Sequence, residues 1–182
     1  MAVRPIVIEP DVLKFAEGSV IYASGATRVL ISVSLEDRVP PFLEGTGRGW
    51  VTAEYAMHPR ATPERRSRDG RKGRVDGRST EIQRLIGRSL RAAVDLEALG
   101  PRTLHVDCDV LDADGGTRTA AISGAYVALS LACAGIEPSP LKEQVAAVSV
   151  GVVRGEDVVD LDYIRDSSAA FDLNIVGTAS GK

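Results

Sequence analysis

Cysteine is scarce in this chain of 182 residues: Cys108 and Cys133 are the only two, each inside an apolar run and without Cys-x-x-Cys spacing. A disulfide framework is excluded, and both thiols read as small buried hydrophobes in a reducing compartment. Histidine is equally sparse. His58 and His105 stand alone, with no partner at triad or metal-ligand spacing, so a histidine-based mechanism has little to build on. Met1 leads directly into strand-like Val3–Glu9 rather than into a charged-then-apolar leader. The longest apolar run, from Ala120 to Gly135, is interrupted by Ser123, Gly124 and Ser130 and is too short for a bilayer. The expectation is a cytoplasmic protein without membrane contact. A net charge of −3 supplies no overall basic field to announce a nucleic acid.

What is present is an ordinary globular composition, 44% hydrophobic and 26% charged, at a length that suits one domain over residues 1–182. Its charge is unevenly placed. Eleven of the 22 basic residues lie between Arg60 and Arg91, against only Glu64, Asp69, Asp76 and Glu81. Between Glu156 and Asp172 lie six carboxylates against the single Arg165. That asymmetry points to a polyanion at one segment and a metal ion at the other.

Short β-branched runs predict strands at Arg4–Glu9, Ser19–Ala23, Thr27–Leu35 and Trp50–Met57. His58–Gly77 mixes prolines and glycines with arginines, carries no apolar stripe and reads as an exposed, mobile loop. Thr80–Leu99 has apolar residues at helical spacing, a Thr80/Gln83 capping box and a Gly100-Pro101 stop. Thr103–Leu111 reads as a strand and Thr117–Ala134 as a buried helix. Val145–Val153 and Val158–Tyr163 form a hairpin, and a last strand begins at Asp172. The class is α+β: a mostly antiparallel sheet with two helices packed on a face.

The chemistry concentrates at Asp112-Ala113-Asp114-Gly115-Gly116-Thr117-Arg118-Thr119, a strand end and glycine turn opening a helix. Free N–H groups and the positive helix pole meet there, so an anion is the natural ligand. Arg118 adds a planar fork that fits phosphate oxygens. Asp107, Asp109, Asp112 and Asp114 lack the glycine and distal glutamate of a calcium loop. Asp160 and Asp162 alternate with Val159 and Leu161, as on the wet face of a strand.

Four segments carry a resemblance: GWVTAEYAMHPR, DGRSTEIQRLIGRSLRAAVDLEALG, DCDVLDADGGTRTAAISGAYVAL and VAAVSVGVVRGEDVVDLDYIRDSSAAFDLNIV. In order and spacing they resemble the bacterial ribonuclease PH family over nearly the whole chain. The resemblance implies a fold like ribosomal protein S5 domain 2. It also implies a phosphate-dependent 3′→5′ exoribonuclease that trims tRNA 3′ ends and releases nucleoside 5′-diphosphates. It further implies a homohexameric ring, inorganic phosphate as co-substrate and a divalent ion such as Mg²⁺. By correspondence, phosphate falls to Arg78, Gly116, Thr117 and Arg118, although Asp76-Gly77 stands where the family has a glycine pair. Asp166 and Asp172 take metal and acid–base roles, and Arg60 and Arg84 take the RNA. Members of the family continue beyond the position of Lys182 with a further strand and a C-terminal helix. The alternative is a catalytically silent RNA-binding or ring-forming subunit.

Phosphorolysis makes chemical sense of these residue types. Bound phosphate is itself the nucleophile, so the protein has to align one anion against another and offset their repulsion. Arginines and a helix N-terminus can hold the attacking phosphate, and carboxylate-bound metal can neutralise the scissile one.

Overall fold

A computed structural model describes residues 3–68 and 76–181. Among the described residues, eight strands fall in two sheets. β1 (Ile6–Pro10), β2 (Gly18–Ser24), β3 (Thr27–Glu36), β4 (Trp50–Met57) and β5 (Thr103–Asp112) form the first, in the order β1-β2-β3-β5-β4. All pairs are antiparallel except β4, which runs parallel to β5. β6 (Val145–Val153), β7 (Glu156–Val159) and β8 (Phe171–Thr178) form the second, antiparallel and in the order β7-β6-β8. The α+β class and the mostly antiparallel sheet hold.

Two long helices supply the packing. α1 (Gly77–Ala93) lies on β4, and α3 (Thr117–Cys133) packs on β2 and β3 on one side and on β6 on the other. Because both sides of α3 face a sheet, its sequence is apolar nearly all round, as a fully buried helix requires. Ala121, Ile122, Ala125, Ala128 and Leu129 are inaccessible to solvent. Gly124 allows this fit, since a Cβ there would come within 2.6 Å of Ile31 and 2.7 Å of Tyr22. Cys108 and Cys133 are free and buried in this core, and burial pushes the Cys133 thiol up to about 11.

Three local expectations are corrected. The helix expected over Thr80–Leu99 begins at Gly77, and Thr80 turns its hydroxyl onto the Asp76 carbonyl instead of forming a capping box. It also ends at Ala93. Val94 extends to pair with Leu141, and Asp95 then caps a separate four-residue helix, α2 (Leu96–Leu99), by accepting from the Glu97 and Ala98 N–H groups. The hairpin's second strand stops at Val159, and a short helix, α4 (Tyr163–Ser168), follows under an Asp162 cap. A six-residue helix is too short to show a 3.6 period, so alternation around Asp160 reads as strand. Of the basic loop, residues 69–75 lie outside the described residues. Its opening residues dock on the sheet: Pro59 and Ala61 are buried, and the Ala61 carbonyl accepts from the Ala113 N–H.

Candidate active site

A cleft of about 780 Å³ opens where the two sheets meet the starts of α1 and α3. Its basic wall comes from Arg78, second residue of α1, and from Gly116, Thr117 and Arg118 at the start of α3. Asp166 on α4 and Asp172 on β8 form the acidic wall, with Asn174 beside them. All six residues expected for phosphate and acid–base work therefore share one cavity.

Helix capping separates this cleft from the rest of the molecule. α2 and α4 begin under aspartate side chains that satisfy their first N–H groups. The N-caps of α1 and α3 are Asp76 and Gly116, and neither makes a side-chain cap hydrogen bond. The nearby hydroxyls bond carbonyls instead: Thr80 donates to the Asp76 oxygen and Thr119 to the Gly116 oxygen. The first turns of both helices thus contribute to one cavity, and the start of α3, whose glycine N-cap offers no capping side chain, suits an anion.

The glycine turn is held tightly. Gly115 and Gly116 adopt φ of 72° and 64°, the left-handed region that favours glycine. A Cβ on Gly115 would lie 2.5 Å from the Leu161 carbonyl oxygen, so only glycine lets the turn lie against the β7–α4 connection. Thr117 is buried and accepts from the Tyr55 hydroxyl at 3.0 Å, which ties the first turn of α3 to β4. Burial, more than any other cause, raises the Tyr55 hydroxyl and keeps it a donor.

The acidic wall follows from strand register. Asp172 and Asn174 sit opposite Gly151 and Ser149 of β6 and line the cleft, while the alternating Phe171, Leu173 and Ile175 are exposed. Burial holds the Asp166 carboxyl above its ordinary 3.8, and the Asp172 charge pushes the same way, against Arg118 and Arg78. Replacing Asp172 by Asn is therefore expected to move the Asp166 titration downward, read by carboxyl NMR without divalent ions. An unmoved or raised midpoint would show that the two carboxylates are not electrostatically coupled.

Among the described residues, no three His, Cys, Asp or Glu side chains cluster as a closed metal cage. Two carboxylates still fit Mg²⁺, which keeps several waters and commonly shares its coordination with substrate phosphates.

Not every expected residue reaches the cleft. Arg60 and Arg84 are exposed and do not line it. Arg65 and Arg66 do, and only their membership of the basic run signals them in the sequence. Asp160 and Asp162 are structural. Asp162 caps α4, and Asp160, 6% exposed at φ 61°, is no wet strand residue, because it pairs with Arg4. Arg4 donates to both Asp160 oxygens, at 3.0 and 2.7 Å, and through Nη1 to the Asp114 carbonyl at 2.6 Å. One guanidinium thus joins the glycine turn to the connection that leads into Asp166.

Residues 2–137 match the 3′ exoribonuclease family, domain 1. The chain is similar to the ribonuclease PH of Moorella thermoacetica, 54% identical over 185 residues that cover 98% of the chain and 74% of that protein. It is equally similar to the ribonuclease PH of Listeria welshimeri, 54% identical over 99% of the chain and 75% of that protein. Among solved structures it resembles an Archaeoglobus fulgidus exosome chain with RNA bound to the active site, with a TM-score of 0.83 and 25% identity over 98% of this chain and 74% of that one. Rice Rrp46 shares the fold, with a TM-score of 0.79 and 23% identity over 96% of this chain and 76% of that one.

Proposed function

The chain belongs to the ribonuclease PH family of phosphorolytic 3′→5′ exoribonucleases of tRNA processing, and we propose that the cleft between its two sheets is where that reaction occurs. The observation that carries this reading is that Arg78 and Arg118, on the first turns of α1 and α3, share one cavity with the carboxylates of Asp166 and Asp172.

On this reading orthophosphate binds between Arg78 and Arg118, against the N–H groups that open α3. One of its oxygens attacks the phosphorus of the terminal phosphodiester. A new P–O bond forms, and the bond to the 3′-oxygen of the preceding nucleotide breaks. The products are a nucleoside 5′-diphosphate and an RNA one nucleotide shorter, whose 3′-oxygen takes up a proton. On this reading Asp166, whose carboxyl is raised by burial and by the Asp172 charge, supplies that proton when it is not ligating metal. A divalent ion held by Asp166 and Asp172 would neutralise charge on the scissile phosphate.

RNA follows from the family, and a ring-forming assembly from the exosome likeness. That the ring is a homohexamer, that Arg60 and Arg84 hold RNA outside the cleft while Arg65 and Arg66 hold it at the rim, and that the 182 residues act as one domain in the cytoplasm belong to the proposal. Among the described residues no helix is long and apolar enough to cross a membrane.

The test is a 3′-labelled tRNA precursor with Mg²⁺, with and without orthophosphate. Labelled diphosphate that appears only with phosphate is expected. Monophosphate release without added phosphate would replace phosphorolysis by hydrolysis, and RNA binding without product would make the chain a silent subunit.

A further inference from the structure

Arg118 faces two ways. Its side chain lines the cleft, yet Nη2 donates to Glu81 Oε2 at 3.0 Å, and Glu81 is not among the lining residues. Glu81 lies one turn beyond Arg78 on α1, and Arg118 is the second residue of α3. The ion pair therefore joins the starts of the two helices that carry the cleft's arginines, across 37 positions of sequence.

We propose that Glu81 is a positioning residue for the attacking phosphate. Its carboxylate takes one edge of the Arg118 guanidinium from outside the cleft and turns the other donors toward the anion. The geometry of a guanidinium permits this, since five N–H donors sit in one rigid plane and a single acceptor occupies only part of it. An arginine left loose would have to be ordered when the anion arrives, and that cost would weaken binding. A carboxylate competing for the phosphate position would have to stand in the cavity, and Glu81 does not. This inference rests on the proposed binding of phosphate by Arg118.

Steady-state phosphorolysis with orthophosphate and RNA varied separately tests it. In Glu81→Ala the KM for orthophosphate is expected to rise roughly tenfold, the scale of a partly misplaced binding group. The kcat and the KM for RNA should stay within about twofold, because phosphate is held alike in ground and transition states. Glu81→Gln, whose amide oxygen still accepts from Nη2, should keep the parental phosphate KM. The rise in melting temperature given by orthophosphate should shrink in the alanine variant alone. Glu81 is 55% exposed at its side chain, so neither variant is expected to unfold. An unchanged or lowered phosphate KM in Glu81→Ala overturns the proposal, as does a parallel rise in the KM for RNA or a glutamine variant as impaired as alanine. Arg118→Ala separates the two levels. If it keeps the parental phosphate KM, the phosphate site itself is misassigned. If it loses phosphate dependence while Glu81→Ala does not, only the role of Glu81 fails.

Discussion

Replacing Arg118 by alanine is expected to cut phosphate-dependent release of nucleoside diphosphate by roughly a thousandfold at subsaturating orthophosphate, the scale of losing two hydrogen bonds to a charged group at about 2 kcal/mol each. The stability of the same variant should hardly move. Arg118 keeps 26% of its side chain exposed, and its partner Glu81 keeps 55%. Exposed ion pairs of this kind contribute between about 0 and 1 kcal/mol. At this chain length 1 kcal/mol corresponds to about 2–4 °C of melting temperature. A large kinetic loss with a small thermal one is the signature of a side chain that meets the reactants without holding the fold. The measurement is product formation against phosphate concentration, alongside a thermal melt. Turnover within tenfold of the parent would remove Arg118 from the phosphate site.

That contrast follows from how the cleft is assembled. The residues that hold its shape are buried or partly buried, and uncharged or internally paired: Thr117 against Tyr55, Gly115 against the Leu161 carbonyl, and Asp160 against Arg4. Those with freedom to meet a ligand, Arg78, Arg118, Asp166 and Asp172, are at least partly accessible, and all but Asp166 stand at element starts. On the proposed reading, charge repulsion between two phosphates is met by the start of α3 and by Arg78 and Arg118 on one wall. The acidic wall faces them from the second sheet. The parts that must be fixed are thus distinct from the parts that react, and substitutions in the two groups should fail differently.

The sequence discloses the ligand-facing part of this arrangement better than its supports. Trp50–Met57 can be delimited to the residue from its β-branched and aromatic run, and the nearly all-apolar Thr117 helix announces burial. The glycine turn points to an anion because φ > 0 residues before a helix leave N–H groups open. Contacts between distant segments leave no such trace. Arg4 and Asp160 are 156 positions apart, and nothing about an arginine before a proline marks it as a buried tether. Glu81 reads as one acid in a basic run until α1 and α3 are packed side by side. Thr80 and Gln83 have the spacing of a capping box, yet the helix starts three residues earlier at Gly77. Local pattern cannot decide between two competing starts when the tertiary setting favours the earlier one.

The Arg4–Asp160 pair should show the opposite behaviour to Arg118. Their side chains are 14% and 8% exposed, and they are linked by two side-chain hydrogen bonds and by the Arg4 N–H to Asp160 Oδ2 at 2.7 Å. Arg4→Met would strand a buried carboxylate, a change that typically costs about 3–5 kcal/mol. At about 2–4 °C for each kcal/mol, the melting temperature should fall by roughly 10 °C. Adding Asp160→Asn should restore more than half of the loss. The buried charge is then gone, asparagine tolerates the φ of 61°, and its amide oxygen can still accept from the residue 4 N–H. The pH dependence has a definite sign. Burial alone would raise the Asp160 carboxyl, but the Arg4 hydrogen bonds outweigh it and hold the group below its ordinary 3.8. The stabilisation is therefore complete above pH 3.8 and lost as pH falls through the lower folded value, so parent and Arg4→Met should converge in acid. Because Arg4 also holds the Asp114 carbonyl, the single variant, assayed well below its melting point, should bind phosphate more weakly. A single variant as stable as the parent, or a double variant less stable than the single, would show that the pair does not brace the glycine turn.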